Sequence, residues 1–179
     1  ITKGQKGHEL AEIGMMVDAG AIAISDDGIP VSNSQILRMA LEYSRKFNIP
    51  VINHAEDLSL ANNALMHEGL NSLKLGLSGS PDITESIMVY RDLSIAKYSS
   101  GKIHVPHVSS KKSVEIIKTF KNEGLKVSAE VTPHHLCLND SVLLGYNTNA
   151  KVAPPIRSEV DRKALIEEFK SGVIDCIAT

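Results

Sequence analysis

The segment that decides the fold is IPVINHAED, residues 49–57. Its first part, residues 49–53, is a short apolar run rich in β-branched residues, which predicts a strand. Four more runs of this kind follow the same pattern, at residues 21–25, 102–108, 126–131 and 173–179. Near-continuously apolar strands are buried on both faces, and helical connections make neighbouring strands parallel. The sequence therefore predicts an α/β fold built on a parallel sheet.

Amphipathic helices are predicted between these strands, at residues 8–18, 34–47, 58–67, 81–99, 113–123 and 159–170. Residues 69–80 are predicted to form a loop, and the proline-containing residues 133–155 an irregular segment. This alternation fits either an open doubly wound sheet or part of a (β/α)8 barrel. A glycine-rich phosphate-binding loop would favour the open sheet, but the sequence contains neither GxGxxG nor GxxxxGK[ST].

The composition is that of an ordinary globular chain, with a formal net charge of −2 and 42% hydrophobic residues. Lysines and arginines are scattered, which argues against a nucleic-acid partner. No apolar run approaches the ~20 residues that span a bilayer, so no membrane partner is expected. The two cysteines, Cys137 and Cys176, lie far apart in apolar stretches. We expect them to be buried, reduced thiols of a cytoplasmic protein.

Polar residues lie at or just after the carboxyl ends of four of the predicted strands. In chain order they are Asp26 and Asp27, then His54 and Glu56, then His107, then Glu130, His134 and His135. The carboxyl ends of parallel barrel strands converge on the face that carries the active site. Imidazoles and carboxylates bind zinc and related divalent ions, so the set predicts a metal site. Taken singly, each residue also has a structural explanation, such as a turn at Asp27 or a core histidine at His54.

Six motifs in this order and spacing resemble those of bacterial-type dihydroorotases of the amidohydrolase superfamily. They are SDDG at 25–28, INHAED at 52–57, HVSS at 107–110, EVTPHHL at 130–136, KVAPPIR at 151–157 and IDCIAT at 174–179. The resemblance extends over essentially the whole chain. It implies a partial (β/α)8 TIM-type barrel, in which residues 1–179 are the central part of a single barrel domain truncated at both ends.

The resemblance also implies a centre of one or two zinc ions with Asp27, His54 and His107 as metal ligands. The HxH pair of the family would lie upstream of the chain, and the catalytic Asp directly after Thr179. No catalytic residue is therefore expected within the chain itself. Ala153 stands where many members have an Asn that helps to hold the substrate, so it is a candidate substrate-binding position. Glu56 and Glu130 are candidates for orienting ligand imidazoles.

The implied activity is the zinc-dependent, reversible cyclisation of N-carbamoyl-L-aspartate to L-dihydroorotate in pyrimidine biosynthesis. One alternative is a sibling enzyme, a dihydropyrimidinase or allantoinase. Such relatives bridge their metals with a carboxylated lysine, whereas Ser25, Asp26 and Asp27 occupy that strand end here. A second alternative is an inactive scaffold for aspartate transcarbamoylase. Such proteins lose metal ligands, and the three matched ligands are all present in this chain.

The expected partner is the small-molecule substrate, while a homodimer and an assembly with aspartate transcarbamoylase both stay open. An unrelated parallel α/β protein with coincidental histidines is the remaining alternative, and six ordered motifs argue against it. Five strands cannot close an eight-stranded barrel, and the implied ligand set is incomplete. The chain on its own is therefore expected to be inactive and poorly folded.

Overall fold

The computed structural model describes residues 1–178 and contains one five-stranded parallel sheet together with a separate two-stranded parallel pair. The strands along the chain are β1 Ile24–Ser25, β2 Val51–Ile52, β3 Met66–His67, β4 Gly79–Ser80, β5 Ile103–Val105, β6 Val127–Val131 and β7 Cys176–Ile177. The large sheet has the order β1-β2-β5-β6-β7, and β3 pairs with β4. The predicted α/β fold with a five-stranded parallel sheet is thus confirmed.

Eight α-helices alternate with the strands over residues 1–178. They are α1 Ile13–Asp18, α2 Ser34–Arg45, α3 Leu58–Ala61, α4 Leu70–Leu75, α5 Ile83–Ser99, α6 Lys111–Asn122, α7 Pro133–Cys137 and α8 Glu159–Lys170. Short 3-10 turns occur at Lys3–Gln5, Asp140–Leu143 and Thr148–Ala150. Within the part of the chain that the structure describes, no helix has the length and apolar character needed to cross a membrane.

The two faces of the large sheet differ in burial. One register row, from β1 to β6, consists of Ile24, Val51, Ile103 and Val127, and all four side chains are buried. The next row consists of Ser25, Ile52, His104 and Ser128, which are exposed or half-buried. The helices that connect parallel strands cover the first face, so the second face is the one that a closed barrel turns inward.

The core lies between the sheet and helices α2, α5 and α6. Leu37, Leu41, Leu93 and Ile117 are completely buried there. Each such side chain contributes about 1.5–3 kcal/mol by leaving water. Capping side chains fix where the helices begin: for example, Ser158 and Asp161 form a capping box at the start of α8. The sheet edge that carries the polar residues is therefore held by a well-packed helical layer.

Two of the predicted helices are shorter in the structure than the sequence suggested. Residues 8–12 are not helical, and α1 begins only at Ile13. The helix predicted over 58–67 ends at Ala61, because Asn62 adopts a left-handed backbone conformation with φ 41°. Asn is one of the few residues that tolerate this conformation, so it stops the helix.

The prediction of a loop over residues 69–80 is wrong, because this segment contains the helix α4 and the strand β4. β4 pairs with β3, which lies in the segment predicted as helix. At Gly79 the two backbone segments approach so closely that an added Cβ would lie 2.4 Å from the Cα of Glu68. The prediction of buried cysteines is also wrong, because Cys137 and Cys176 are both exposed. Thr179, the end of the last predicted strand, lies outside the described residues.

Candidate metal centre

Two of the three predicted metal ligands, His54 and His107, meet at the carboxyl ends of the neighbouring strands β2 and β5. His54 Nδ1 lies 3.0 Å from His107 Nε2. The two rings meet edge to face, with their centroids 4.8 Å apart. His54 is 6% exposed. The parallel register of β2 and β5 explains the meeting, because it brings residues that follow the two strands to one edge of the sheet.

Glu56 sets the tautomer of His54. Its Oε2 lies 3.3 Å from His54 Nε2. An ionised carboxylate can only accept a hydrogen bond, so the proton of the neutral ring is on Nε2 and the lone pair is on Nδ1. The lone pair of His54 therefore faces His107. A carboxylate that accepts from the far nitrogen of a ligand imidazole is a common partner in metal sites.

The chemistry of the pair fits zinc or a similar divalent ion. Burial lowers the pKa of the His107 imidazole, and the neighbouring His54 lowers it further, so the neutral, metal-binding form is favoured. Two nitrogens bound tetrahedrally to one zinc ion lie about 3.3 Å apart, close to the 3.0 Å that separates His54 Nδ1 and His107 Nε2. Over residues 1–178, no group of three or more His, Cys, Asp or Glu side chains forms a metal-binding arrangement, so the pair is an incomplete ligand set.

The aspartates after β1 differ in their surroundings. Asp26 is 3% exposed and accepts hydrogen bonds from both the backbone N and the hydroxyl of Thr2. Asp27 is exposed, and no hydrogen bond or salt bridge connects its side chain to the rest of the described chain. Asp26 therefore has a structural role, whereas the Asp27 carboxylate is not engaged in holding the fold. The structure does not bring Asp27 to the histidine pair, and its role as a ligand stays a prediction.

A buried network holds the loop after Asp27 against the strand end that carries His54. Asn53 accepts from the backbone N of Val31 at 3.0 Å and donates to Asp92 Oδ2 at 2.6 Å. Arg91 donates to the Val31 carbonyl at 2.8 Å and to Asp92 Oδ1 at 2.8 Å. Burial raises the pKa of Asp92 to about 6, although Arg91 and Asn53 oppose the shift. The sequence reasoning missed this network, whose signal in the sequence is the adjacent Arg91 and Asp92 within the helix predicted over residues 81–99.

Ala153, the candidate substrate-binding position, lines a cavity of about 360 Å³. Glu56 lines the same cavity, and so do Asn62, Asn63 and Ser80. Glu56 also contacts His54, so this one side chain connects the cavity with the histidine pair. The arrangement is consistent with Ala153 on the substrate side, and that assignment stays a prediction.

His135 and Glu130 have structural partners. The buried His135 ring contacts Thr132 Oγ1 at 2.7 Å through Nδ1 and the Pro154 carbonyl at 3.1 Å through Nε2. Burial lowers the pKa of His135 to about 4. Glu130 Oε2 lies 3.0 Å from His104 Nε2. The expectation that Glu130 orients a predicted ligand is wrong in this structure. Its partner is His104, which lies within β5, three residues before His107.

The sequence is similar to those of known proteins along its whole length. A family model described as Dihydro-orotase-like matches residues 1–113. The dihydroorotase of Acetivibrio thermocellus is 50% identical over 179 residues, which are 100% of this chain and 42% of that protein. The chain spans 42% of the length of the first curated relatives that it matches, all of which are named dihydroorotase.

Solved structures agree on the fold. An L-hydantoinase (dihydropyrimidinase) from Arthrobacter aurescens has a TM-score of 0.77 at 25% identity and covers 94% of this chain and 40% of its own. A dihydroorotase from Campylobacter jejuni has a TM-score of 0.63 at 22% identity, with 87% of this chain and 43% of its own covered. The fold is therefore part of an amidohydrolase TIM barrel, as predicted. Since the family model covers more than half of the residues, the chain belongs to the dihydro-orotase-like family.

Proposed function

We propose that the protein containing this chain is a zinc-dependent dihydroorotase, which interconverts N-carbamoyl-L-aspartate and L-dihydroorotate in pyrimidine biosynthesis. The observation that carries the proposal is the buried His54–His107 pair, with a 3.0 Å separation of Nδ1 and Nε2, at the carboxyl ends of neighbouring parallel strands. In barrel enzymes this edge of the sheet carries the active site. The name shared by the sequence relatives supports the choice of reaction.

The proposed roles follow from the contacts of each side chain. His54 and His107 would hold the metal through Nδ1 and Nε2, and Glu56 keeps the proton of His54 on the opposite nitrogen. The Asp27 carboxylate, exposed and not bonded elsewhere in residues 1–178, would be a further ligand. A bound zinc ion supplies a Lewis acid for the ring carbonyl and lowers the pKa of water to roughly 7.

The substrate would bind in the cavity that Ala153 and Glu56 share. The methyl group of Ala153 can neither donate nor accept a hydrogen bond, so a polar contact at this position would use the backbone. The acid/base that moves the proton to the ring nitrogen is proposed to be an Asp that directly follows Thr179 in the complete protein. Residues 1–178 would thus supply metal ligands and part of the substrate cavity.

The proposed location is the cytoplasm, with no nucleic-acid or membrane partner. A homodimer and an assembly with aspartate transcarbamoylase are distinguished by size-exclusion chromatography of the complete protein, alone and mixed with that enzyme. A stable co-eluting complex would indicate the assembly, whereas a particle of twice the subunit mass in both samples would indicate the homodimer.

A second candidate function is that of a sibling cyclic amidohydrolase, which the likeness of the fold to a hydantoinase favours. The strand end at which such relatives carry a bridging lysine has Ser25, Asp26 and Asp27 here. The proposal therefore ranks dihydroorotate above hydantoins and dihydropyrimidines as the substrate.

A substrate panel tests the proposal. The complete protein, loaded with zinc, is assayed for ring opening of dihydroorotate, hydantoin and dihydrouracil under the same conditions. We expect turnover of dihydroorotate and loss of this turnover after zinc is removed with a chelator. Turnover of only hydantoin or dihydrouracil would show a sibling enzyme, and no turnover of any ring would favour the inactive scaffold.

A further inference from the structure

A buried polar network lies behind the histidine pair and has no part in the proposed reaction. We name it the Glu85 network, and it consists of Glu85, Ser109 and Arg157. Their exposed fractions are 4%, 0% and 3%. Glu85 lies in the first turn of α5, Ser109 follows β5, and Arg157 precedes α8. Three segments that are far apart in the sequence are thus joined by buried polar side chains.

The Glu85 carboxylate fixes the backbone two residues after His107. Both of its oxygens accept from the backbone N of Ser109, at 3.2 and 3.1 Å, and one accepts from the backbone N of Ser110 at 3.1 Å. Ser110 is the N-cap of α6. A carboxylate at this place satisfies amides that have no partner within the helix and interacts favourably with the helix dipole.

The Ser109 hydroxyl joins the carboxylate to Arg157. It donates to Glu85 Oε2 and accepts from Arg157 Nε at 3.1 Å. Arg157 Nη1 also donates to the Ser80 carbonyl at 2.9 Å and lies 3.4 Å from His67 Nδ1. The segment that carries Ala153, four residues before Arg157, is therefore tied through one hydroxyl to the segment that carries His107.

Charge complementarity keeps the network ionised. Burial on its own would raise the pKa of Glu85, but the nearby Arg157 guanidinium and the hydrogen bonds from Ser109 outweigh it. The pKa of Glu85 consequently lies below its ordinary value. A buried carboxylate and guanidinium with these hydrogen bonds are satisfied as a unit, and removal of either member leaves the other buried without a partner.

The backbone of His107 shows why such a support is needed. His107 has φ 37°, in a region that residues other than glycine rarely occupy. Conformations of this kind persist only when the surroundings hold them, and they concentrate at functional sites. The hydrogen bonds from Ser109 and Ser110 to Glu85 begin two residues beyond His107 and supply that constraint.

We infer that Glu85 is a positioning residue, which acts through Ser109 and Arg157 and holds the His107 imidazole against His54. It also sets the distance between the His107 imidazole and the segment that carries Ala153. This inference rests on the proposed function only in that the histidine pair binds the metal. Glu85 itself lies behind the pair and contacts the serines that follow His107, so its effect reaches the site through the backbone.

The main test is Glu85→Gln in the complete protein, with Glu115→Gln as the matched control. Glu115 lies on α6 with an exposed side chain, and its ion pair with Lys111 is a surface one. The amide of the Glu85→Gln variant would turn an NH2 group towards backbone donors, so His107 loses its support. We expect the zinc Kd, measured by competition with a chromophoric chelator, to rise about 10–100-fold. We expect kcat to fall by a similar factor and KM to change little.

A milder variant keeps the test decisive if Glu85→Gln fails to fold. Ser109→Ala retains the backbone N–H that donates to Glu85 but removes the hydroxyl between Glu85 and Arg157. We expect a folded protein with a higher zinc Kd and a lower kcat, and we expect Ser109→Thr, which restores the hydroxyl, to recover both. Circular dichroism and the thermal transition confirm that the compared variants are folded.

The inference is overturned if folded Glu85→Gln binds zinc and turns over substrate as Glu115→Gln does. It is also overturned if Glu85→Gln unfolds while Ser109→Ala keeps wild-type zinc affinity and kcat, because the network would then stabilise the fold alone. Failure of the proposed function looks different. The wild-type protein would bind zinc without opening dihydroorotate, and the zinc affinities of the variants would still test the inference.

Discussion

At the scale of single residues, Asp26 and Asp27 are adjacent but differ in burial. The sequence predicts that the pair follows a strand, and this pattern alone does not separate their roles. Asp26 is 3% exposed and bonded to Thr2, whereas Asp27 is exposed. The fold therefore depends on the first carboxylate, and the proposed chemistry depends on the second.

Substitution by Asn distinguishes the two roles. In the complete protein we expect Asp26→Asn to lower the free energy of unfolding by ~1–3 kcal/mol, because buried donors lose their charged acceptor. We expect Asp27→Asn to change this free energy by less than ~0.5 kcal/mol while zinc-dependent turnover of dihydroorotate falls sharply. Urea unfolding and initial rates measure the two effects. A destabilised Asp27→Asn with normal turnover would contradict the assignment.

The histidines show how far residue-level reasoning extends. His54 follows one predicted strand and His107 lies at the end of the next, and this pattern predicted that both lie at the edge of the sheet that carries the site. Their selection as ligands came from the resemblance to dihydroorotases. The choice of carboxylate partner was not predictable, because it depends on side-chain conformation and on the register of the sheet. Glu56 contacts His54, but Glu130 contacts His104 and not a predicted ligand.

At the scale of elements, α5 braces the segments beside both histidines. Its first turn provides Glu85 to the segment after His107, and its middle provides Asp92 to Asn53, the neighbour of His54. The sequence predicted the helix, but its buried polar contacts were missed because they involve residues about 20 to 40 positions away along the chain. Such contacts are set by tertiary packing and not by helical periodicity.

The segment from α7 to Pro154 depends on a neutral His135. The folded-state pKa of about 4 lies below the ordinary value of 6.5, so the folded protein binds fewer protons than the unfolded one between these values. The stabilisation is complete above pH 6.5 and is lost as the pH falls towards 4. The change amounts to ~3 kcal/mol at most.

We therefore expect the free energy of unfolding of the metal-free complete protein to decrease between about pH 6.5 and pH 4. His135→Gln cannot titrate and should show a shallower decrease than the wild type. Urea unfolding at a series of pH values measures this. Equal slopes for His135→Gln and the wild type would contradict the role of His135.

The β3–β4 pair marks where element prediction failed. Each strand has only two residues, and the pair forms because Gly79 allows a close approach to Glu68. No local periodicity signals so short a strand. By contrast, α8 has the predicted bounds Glu159–Lys170, and the capping box of Ser158 and Asp161 fixes its start.

At the scale of the whole molecule, the sheet has open edges at β1 and β7 and one face that helices do not cover. Apolar side chains are exposed at these margins, with Ile22 85% and Ile177 47% exposed. Uncovered parallel edges and apolar patches favour association with other chains. The order of the strands follows from the alternation of strands and helices along the sequence. The exposure of the sheet face that a closed barrel would turn inward is seen only in the structure.

We expect residues 1–179, expressed without flanking sequence, to show no dihydroorotate hydrolysis and no cooperative thermal transition, and to bind an apolar dye strongly. Two histidines are too few ligands to hold a catalytic zinc ion, so we expect no hydrolysis. The open sheet leaves apolar side chains exposed to water, so we expect no cooperative transition and strong binding of the dye. A sharp thermal transition together with zinc-dependent hydrolysis by this polypeptide would contradict the expectation.

The central claim is that His54 and His107 together hold the metal of a dihydroorotase, and its most direct test is zinc binding by the complete protein. The zinc Kd and the rate of dihydroorotate hydrolysis are measured for the wild type, His54→Ala, His107→Ala and the exposed control His8→Ala. We predict that both ligand variants lose zinc affinity and hydrolysis by more than the ~10–100-fold typical of an outer partner, while His8→Ala retains both. Wild-type zinc affinity and hydrolysis in either folded ligand variant would contradict the claim.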